Sequence, residues 1–163
     1  MTINNGMVMR AWYDIKTWDL QNRADEAGVR QSALLVQNLL DKVIASGVPA
    51  EKIILAGFSQ GGVIALHLLP RLPYKIAGVM ALSTYAPTFS DDIQLADTKK
   101  QLPVLCLHGT FDDIVLPAMG RAAHDYLSAS GVSVQWREYP MGHEVINEEI
   151  RDIADWLEQR LNR

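Results

Sequence analysis

The stretch Lys52-Ile53-Ile54-Leu55-Ala56-Gly57-Phe58-Ser59-Gln60-Gly61-Gly62-Val63 decides the architecture of this chain. The apolar run 52–56 is typical of a strand, and the apolar residues 61–69 are typical of a helix that is buried on most sides. Between them, the pattern Gly-x-Ser-x-Gly puts a serine on a sharp turn, where the residues two positions away must be nearly free of side chain. The strand–turn–helix context gives the pattern its weight, because the five residues alone are a weak signal.

The rest of the chain alternates strand-like and helix-like segments around that stretch. Further strands are predicted over residues 7–13, 76–82, 103–107 and 132–139, and further helices over about 23–46, 117–130 and 145–161. This alternation predicts the α/β class, with a mostly parallel sheet that carries helices on both faces. The 163 residues contain no linker or internal repeat, so a single domain over 1–163 is predicted.

Composition excludes several kinds of partner. The net charge is −4 and no basic cluster extends beyond Lys99-Lys100, so nucleic acid is not an expected partner. No run of about 18 apolar residues is present, so no stable membrane insertion is expected. Residues 1–10 lack the pattern of a signal peptide, which makes the cytoplasm the default expectation. The single cysteine, Cys106, lies in an apolar run and is predicted to be a buried strand residue.

A serine becomes a good nucleophile only when a base takes its proton and a carboxylate orients that base. In folds with this kind of turn, the acid follows the serine in the chain and the histidine comes last. His143 lies in a Pro/Gly loop between the last predicted strand and the last helix, at the sheet edge where such sites form. The acid is expected after the strand 103–107, where Asp112 is the first choice and Asp113 the fallback.

Other candidates for these two roles are weaker. Asp91 and Asp92 follow an earlier predicted strand. His67 lies two turns along the helix after Ser59, and His108 ends a strand. Both histidines, and His124 in the middle of a helix, are predicted to be structural or surface residues.

Three blocks of sequence together resemble the carboxylesterase/acyl-protein thioesterase family of α/β-hydrolases. The blocks are Gly57-Phe58-Ser59-Gln60-Gly61-Gly62, His108-Gly109-Thr110-Phe111-Asp112 and Gly142-His143, and the segment 9–15 is similar to the stretch ahead of that family's serine turn. The resemblance implies the α/β-hydrolase fold, with Ser59 as nucleophile, Asp112 as acid and His143 as base. It also implies hydrolysis of carboxylic esters or thioesters through an acyl-enzyme, on a small-molecule or acylated-protein substrate.

One feature of that family has no counterpart in this sequence. Family members carry, ahead of this point, the first strands and a His-Gly loop that donates one hydrogen bond to the oxyanion. The backbone N–H of Gln60 can supply one donor, and loss of the other typically lowers turnover about 100- to 1000-fold. We therefore expect an N-terminally truncated fold, and the alternative hypothesis is a catalytically impaired remnant that acts as a binding or assembly module. The bare strand edge predicts association, including a homodimer.

No cofactor or metal is predicted. His143-Glu144-Val145-Ile146-Asn147 lacks the second histidine of the zinc motif His-Glu-x-x-His, and Val63 stands where a P-loop needs lysine. Trp12, Tyr13, Leu116 and Met141 lie near the motifs and are candidates for the lining of an acyl groove, although core packing explains each of them equally well.

Overall fold

A computed structural model of the protein describes residues 2–3, 7–8, 10–15, 24–89 and 95–162. The helices are α1 Glu26–Ala45, α2 Gln60–Leu68, α3 Asp97–Lys100, α4 Pro117–Ala129 and α5 Asn147–Leu161. The strands are β1 Thr2–Ile3, β2 Met7–Val8, β3 Ile54–Phe58, β4 Gly78–Leu82, β5 Val104–Gly109 and β6 Val134–Tyr139.

The four longer strands form one parallel sheet in the order β3-β4-β5-β6. The short β1 and β2 pair antiparallel with each other. All four strands of the parallel sheet end at the same edge, so the loops that follow them are neighbours. Among the described residues, β3 and β6 are the outer strands of the sheet.

Helices cover both faces of the parallel sheet. Val79 and Ala81 of β4 belong to a core with α1, α2 and α4, whereas Met80 points to the other face and packs with Trp156 of α5. This two-sided burial explains why β4 and β5 read as continuous apolar runs. The predicted α/β class, with a parallel sheet between helices, is confirmed.

The boundaries of some elements differ from the sequence predictions. The strand predicted over 52–56 runs instead from Ile54 to Phe58, because Ala50–Lys52 form a short 3₁₀ turn before it. The strand predicted over 7–13 is wrong beyond Val8 for the described residues, since 10–14 carry no strand pairing. A short helix, α3, lies inside the predicted long connection 84–100.

Among the described residues, no helix combines the length and apolar composition that crossing a membrane requires.

Candidate active site

Ser59 stands on a strained turn between β3 and α2. Its backbone has φ 53° and ψ −121°, a conformation that L-residues rarely adopt and that marks functional turns. A Cβ at Gly57 would lie 2.2 Å from the carbonyl carbon of Gly61, and one at Gly62 would lie 2.6 Å from Thr84. Glycine is therefore required at 57 for the turn to close and at 62 for the contact with Thr84. At Gly61, the second glycine of the motif, a Cβ would have Trp12 as its nearest neighbour at 3.5 Å, so the clash predicted there is not found.

Hydrogen bonds from the neighbouring strand hold this turn in place. The Ser59 N–H donates to the carbonyl of Leu82, the last residue of β4, at 2.9 Å. The hydroxyl of Thr84 donates to the Ser59 carbonyl at 2.7 Å. The position of Ser59 is thus fixed by the end of β4 as well as by its own strand.

His143 brings its imidazole to Ser59 from the loop after β6. Its Nε2 lies 3.0 Å from the Ser59 Oγ, and its Nδ1 lies 2.8 Å from the Asp112 Oδ2. The ring also contacts the Phe58 ring, with 4.7 Å between centroids. This is the geometry in which an imidazole can accept a proton from a hydroxyl while a carboxylate fixes its tautomer.

Asp112 is held rigidly in the loop after β5. The residue is 2% exposed, and its Oδ1 accepts the backbone N–H groups of Ile114 at 3.0 Å and Val115 at 2.8 Å. These bonds leave Oδ2 aimed at His143. Asp113, the fallback acid, is exposed, and Asp91 and Asp92 lie outside the described residues.

Gln60 is the first residue of α2, directly after Ser59. The first N–H groups of a helix have no partner within it, so the Gln60 N–H is available beside the serine. The side chain has a separate task, because its Oε1 accepts the Trp12 N–H at 3.0 Å and its Nε2 donates to the Tyr13 carbonyl at 3.1 Å. Gln60 therefore ties the segment 10–15 to the turn.

A pocket of about 180 Å³ opens at Ser59. Its walls are formed by Tyr13, Ile15, Ser59, Gln60, Tyr85, Ile114 and Val115. Of the substrate-lining candidates weighed from sequence, Tyr13 is in this wall. Ile15, Tyr85, Ile114 and Val115 were missed, although Ile114 and Val115 directly follow the acid in the sequence, which is a usable signal.

Trp12, Leu116 and Met141, which the sequence also offers as lining residues, are not in the wall of this pocket. Met141 is 2% exposed and packs in the core beside α5, as the alternative of core packing predicts. The side chains of Trp12 and Leu116 are 43% and 38% exposed and are not in the wall of the Ser59 pocket. Trp12 contributes through its backbone, by its bond to Gln60.

The remaining titratable candidates are structural. Burial, with nearby Arg71 and Arg30, lowers the pKa of His67 to about 4, and its Nδ1 lies 2.9 Å from the Thr88 hydroxyl. Burial raises the pKa of the Cys106 thiol to about 12, so it is not a reactive thiolate. Both observations agree with the sequence interpretation.

Comparisons with known proteins agree with this geometry. Residues 1–161 match the model of the family described as Phospholipase/Carboxylesterase. The chain is 36% identical to acyl-protein thioesterase 1 of Neurospora crassa, across 99% of this chain and 69% of the relative. It is 34% identical to carboxylesterase SOBER1 of Arabidopsis thaliana, across 99% of this chain and 72% of that protein.

The chain belongs to the phospholipase/carboxylesterase family. As expected for a member, it superposes on the crystal structure of Arabidopsis thaliana SOBER1 with a TM-score of 0.89 and 33% identity, over 98% of this chain and 79% of that one. The TM-score with Zea mays acyl-protein thioesterase 2 is 0.77 at 29% identity, over 93% of this chain and 72% of that one.

Family membership also gives the type of reaction. The names of the relatives describe hydrolysis of acyl–oxygen and acyl–sulfur bonds, and this chain is accordingly a hydrolase of carboxylic esters or thioesters. No finding favours the alternative of a catalytically impaired remnant.

Proposed function

We propose that this chain cleaves esters or thioesters through an acyl-enzyme on Ser59. His143 takes the Ser59 proton as the hydroxyl attacks the acyl carbon, and then gives that proton to the leaving alcohol or thiol. Water, activated by the same imidazole, releases the acid and restores Ser59. The observation that carries this proposal is the continuous chain of contacts from Ser59 Oγ to His143 Nε2 at 3.0 Å and from His143 Nδ1 to Asp112 at 2.8 Å.

The negative charge that develops on the substrate oxygen is stabilised beside Gln60. Its N–H is the donor nearest to the acylated serine in the chain, and the positive end of the α2 dipole lies at the same place.

We expect the substrate to be a protein or a small molecule that carries an acyl group in ester or thioester linkage. Similarity to a protein named acyl-protein thioesterase supports an acylated protein, and a cytoplasmic location is expected for such a substrate.

The test compares the chain with its Ser59→Ala variant on p-nitrophenyl acetate and on an S-acylated cysteine peptide. We expect the variant to lose at least about 10⁴-fold in kcat/KM on both substrates. Ser128→Ala, an exposed serine on α4, is the matched control and is expected to keep the full rate. Equal rates for Ser59→Ala and the unmodified chain would contradict the proposal.

A homodimer is part of the same proposal. Among the described residues, β3 carries a neighbour on only one side, and Ala56 and Phe58 in it are exposed. Leu35 and Leu39 on α1 are 63% and 60% exposed, which adds apolar surface. We expect light scattering to give twice the chain mass, and Leu35→Glu with Leu39→Glu to give the mass of one chain. A single-chain mass for the unmodified protein at assay concentration would rule out this part.

A further inference from the structure

A second buried histidine, His108, lies beside the acid of the candidate site. It is the last residue but one of β5, and its side chain is 1% exposed. Its Nε2 lies 3.5 Å from Asp112 Oδ2, the same oxygen that faces His143 Nδ1 at 2.8 Å. The proposed reaction gives His108 no task, although its ring is close to the reacting groups.

The hydrogen bond of His108 determines where its ring proton lies. Its Nε2 lies 2.8 Å from the carbonyl oxygen of Val115. A carbonyl oxygen only accepts, so Nε2 carries the proton and donates it to Val115. The longer distance of 3.5 Å makes the contact with Asp112 Oδ2 the weaker of the two. His108 therefore holds Val115 and leaves Asp112 Oδ2 to His143.

Neighbouring elements fix the orientation of the His108 ring. A Cβ at Gly120 of α4 would lie 2.4 Å from His108 Nδ1, so only glycine lets this helix approach the ring. Glycine is unfavourable inside a helix relative to alanine, and the close approach explains its presence here. On the ring face, Trp136 of β6 stacks at 5.9 Å between centroids. The direction of Nε2 is thus set by packing against α4 and β6.

Val115 connects His108 with the acid. Its carbonyl accepts the His108 proton, while its N–H donates to Asp112 Oδ1 at 2.8 Å. The N–H of Ile114 donates to the same oxygen at 3.0 Å. Val115 is 2% exposed, so without the His108 donor its carbonyl would be a buried acceptor that has lost this hydrogen bond. Loss of that donor should therefore loosen the loop 112–115, which carries the acid.

We propose that His108 is a positioning residue for the acid: through Val115 it holds the loop 112–115 so that Asp112 Oδ2 stays aimed at His143. The inference rests on the proposed acyl-enzyme function, in which the carboxylate orients the base. A displacement of about 1 Å in such a constellation can lower turnover about 100-fold. Removal of the His108 donor should thus lower the rate by acting through Asp112, without any contact between His108 and the substrate.

The first experiment compares replacements of His108 with and without a donor. His108→Gln has a side chain long enough to keep an NH₂ donor near the Val115 carbonyl, whereas His108→Leu has apolar volume and no donor. We expect His108→Leu to lower kcat/KM for p-nitrophenyl acetate about 10- to 100-fold and His108→Gln to stay within about threefold. His67→Leu is the matched control, because His67 is also buried and bonds to Thr88, outside the loop 112–115. It is expected to stay within about threefold, with folding verified by circular dichroism.

A double-mutant cycle separates positioning of the acid from general packing. In an Asp112→Asn background the carboxylate that His108 positions is absent, so adding His108→Leu should lower kcat/KM less than about threefold further. The full 10- to 100-fold loss in that background would show that His108 acts independently of Asp112 and would overturn the assignment. Equal losses in His108→Gln and His108→Leu, or no loss in His108→Leu, would overturn it as well.

Amide hydrogen exchange provides a readout that does not depend on turnover. The N–H groups of Ile114 and Val115 are bonded to Asp112, so their exchange reports on the order of this loop. We expect exchange at least tenfold faster in folded His108→Leu and at the unmodified rate in His108→Gln. Unchanged exchange in His108→Leu would contradict the positioning role. Failure of the unmodified chain to cleave p-nitrophenyl acetate would instead contradict the proposed function, and exchange would still decide whether His108 holds the loop.

Discussion

Replacing Asp112 by asparagine removes the carboxylate that orients His143 and leaves the other residues of the site unchanged. The Oδ1 position of Asp112 receives two backbone N–H groups, from Ile114 at 3.0 Å and Val115 at 2.8 Å. An asparagine must keep its carbonyl oxygen there, because an NH₂ group in that position would face two donors. Its NH₂ then points at the Nδ1 of His143.

This forced orientation inverts the hydrogen bonding of His143. Nδ1 has to accept from the new NH₂, so the imidazole proton moves to Nε2, which faces the Ser59 hydroxyl. An Nε2 that already carries a proton cannot take the serine proton. The same substitution in a serine protease lowers kcat by about 10⁴-fold, or about 5 kcal/mol of barrier, and we expect a loss of that size here.

The assay is steady-state hydrolysis of p-nitrophenyl acetate, with circular dichroism to verify folding. Asp113→Asn is the matched control, since Asp113 is the exposed neighbour and the fallback acid. It is expected to stay within about twofold of the unmodified chain, as surface substitutions usually do. Loss of activity in Asp113→Asn with activity retained in Asp112→Asn, or full activity of folded Asp112→Asn, would contradict the role assigned to Asp112.

Two further predictions concern the glycine turn and a buried carboxyl. Gly57→Ala forces a Cβ to 2.2 Å from the Gly61 backbone, so we expect urea unfolding to show a free energy of unfolding about 1–3 kcal/mol lower. Gly142→Ala is the control, because the nearest atom to its Cβ is 4.0 Å away, and it should unfold like the unmodified chain. Burial raises the pKa of Glu149 from 4.5 to about 7, so between these values the unfolded chain ionises first and stability falls as pH rises. In Glu149→Gln, the free energy of unfolding measured by urea titration should decrease less between pH 5 and pH 7. An equal decrease in the variant and the unmodified chain would contradict the raised pKa of Glu149.

The order of strands and helices could be predicted from the sequence because each element has a pattern within its own residues. The apolar runs around Gly57 and in β4 and β5 have no polar interruption, and parallel strands of this kind require cover on both faces. The ends of elements were less accurate, because they depend on tertiary contacts. Residues 10–14 have the composition of a strand. The backbone groups of Trp12 and Tyr13, however, form hydrogen bonds with the side chain of Gln60 and not with a neighbouring strand.

The proximity of Ser59, Asp112 and His143 could be predicted from the sequence more readily than the residues of the pocket wall. Asp112 and His143 follow consecutive strands of a parallel sheet, so topology alone brings their loops to Ser59. The direction of a side chain within a loop has no such rule. Met141 turns into the core two residues before His143, and Tyr85 reaches the pocket from a loop whose course depends on Thr84 and Tyr13.

The most direct test of the account is a rapid-mixing measurement with p-nitrophenyl acetate. An acyl-enzyme on Ser59 predicts a burst of p-nitrophenol that approaches one per chain, together with an acetyl group that intact mass spectrometry and peptide mapping locate on Ser59. The burst and the label should both vanish in Ser59→Ala. A burst of equal size in Ser59→Ala, or an acetyl group on another residue of the unmodified chain, would contradict the central claim.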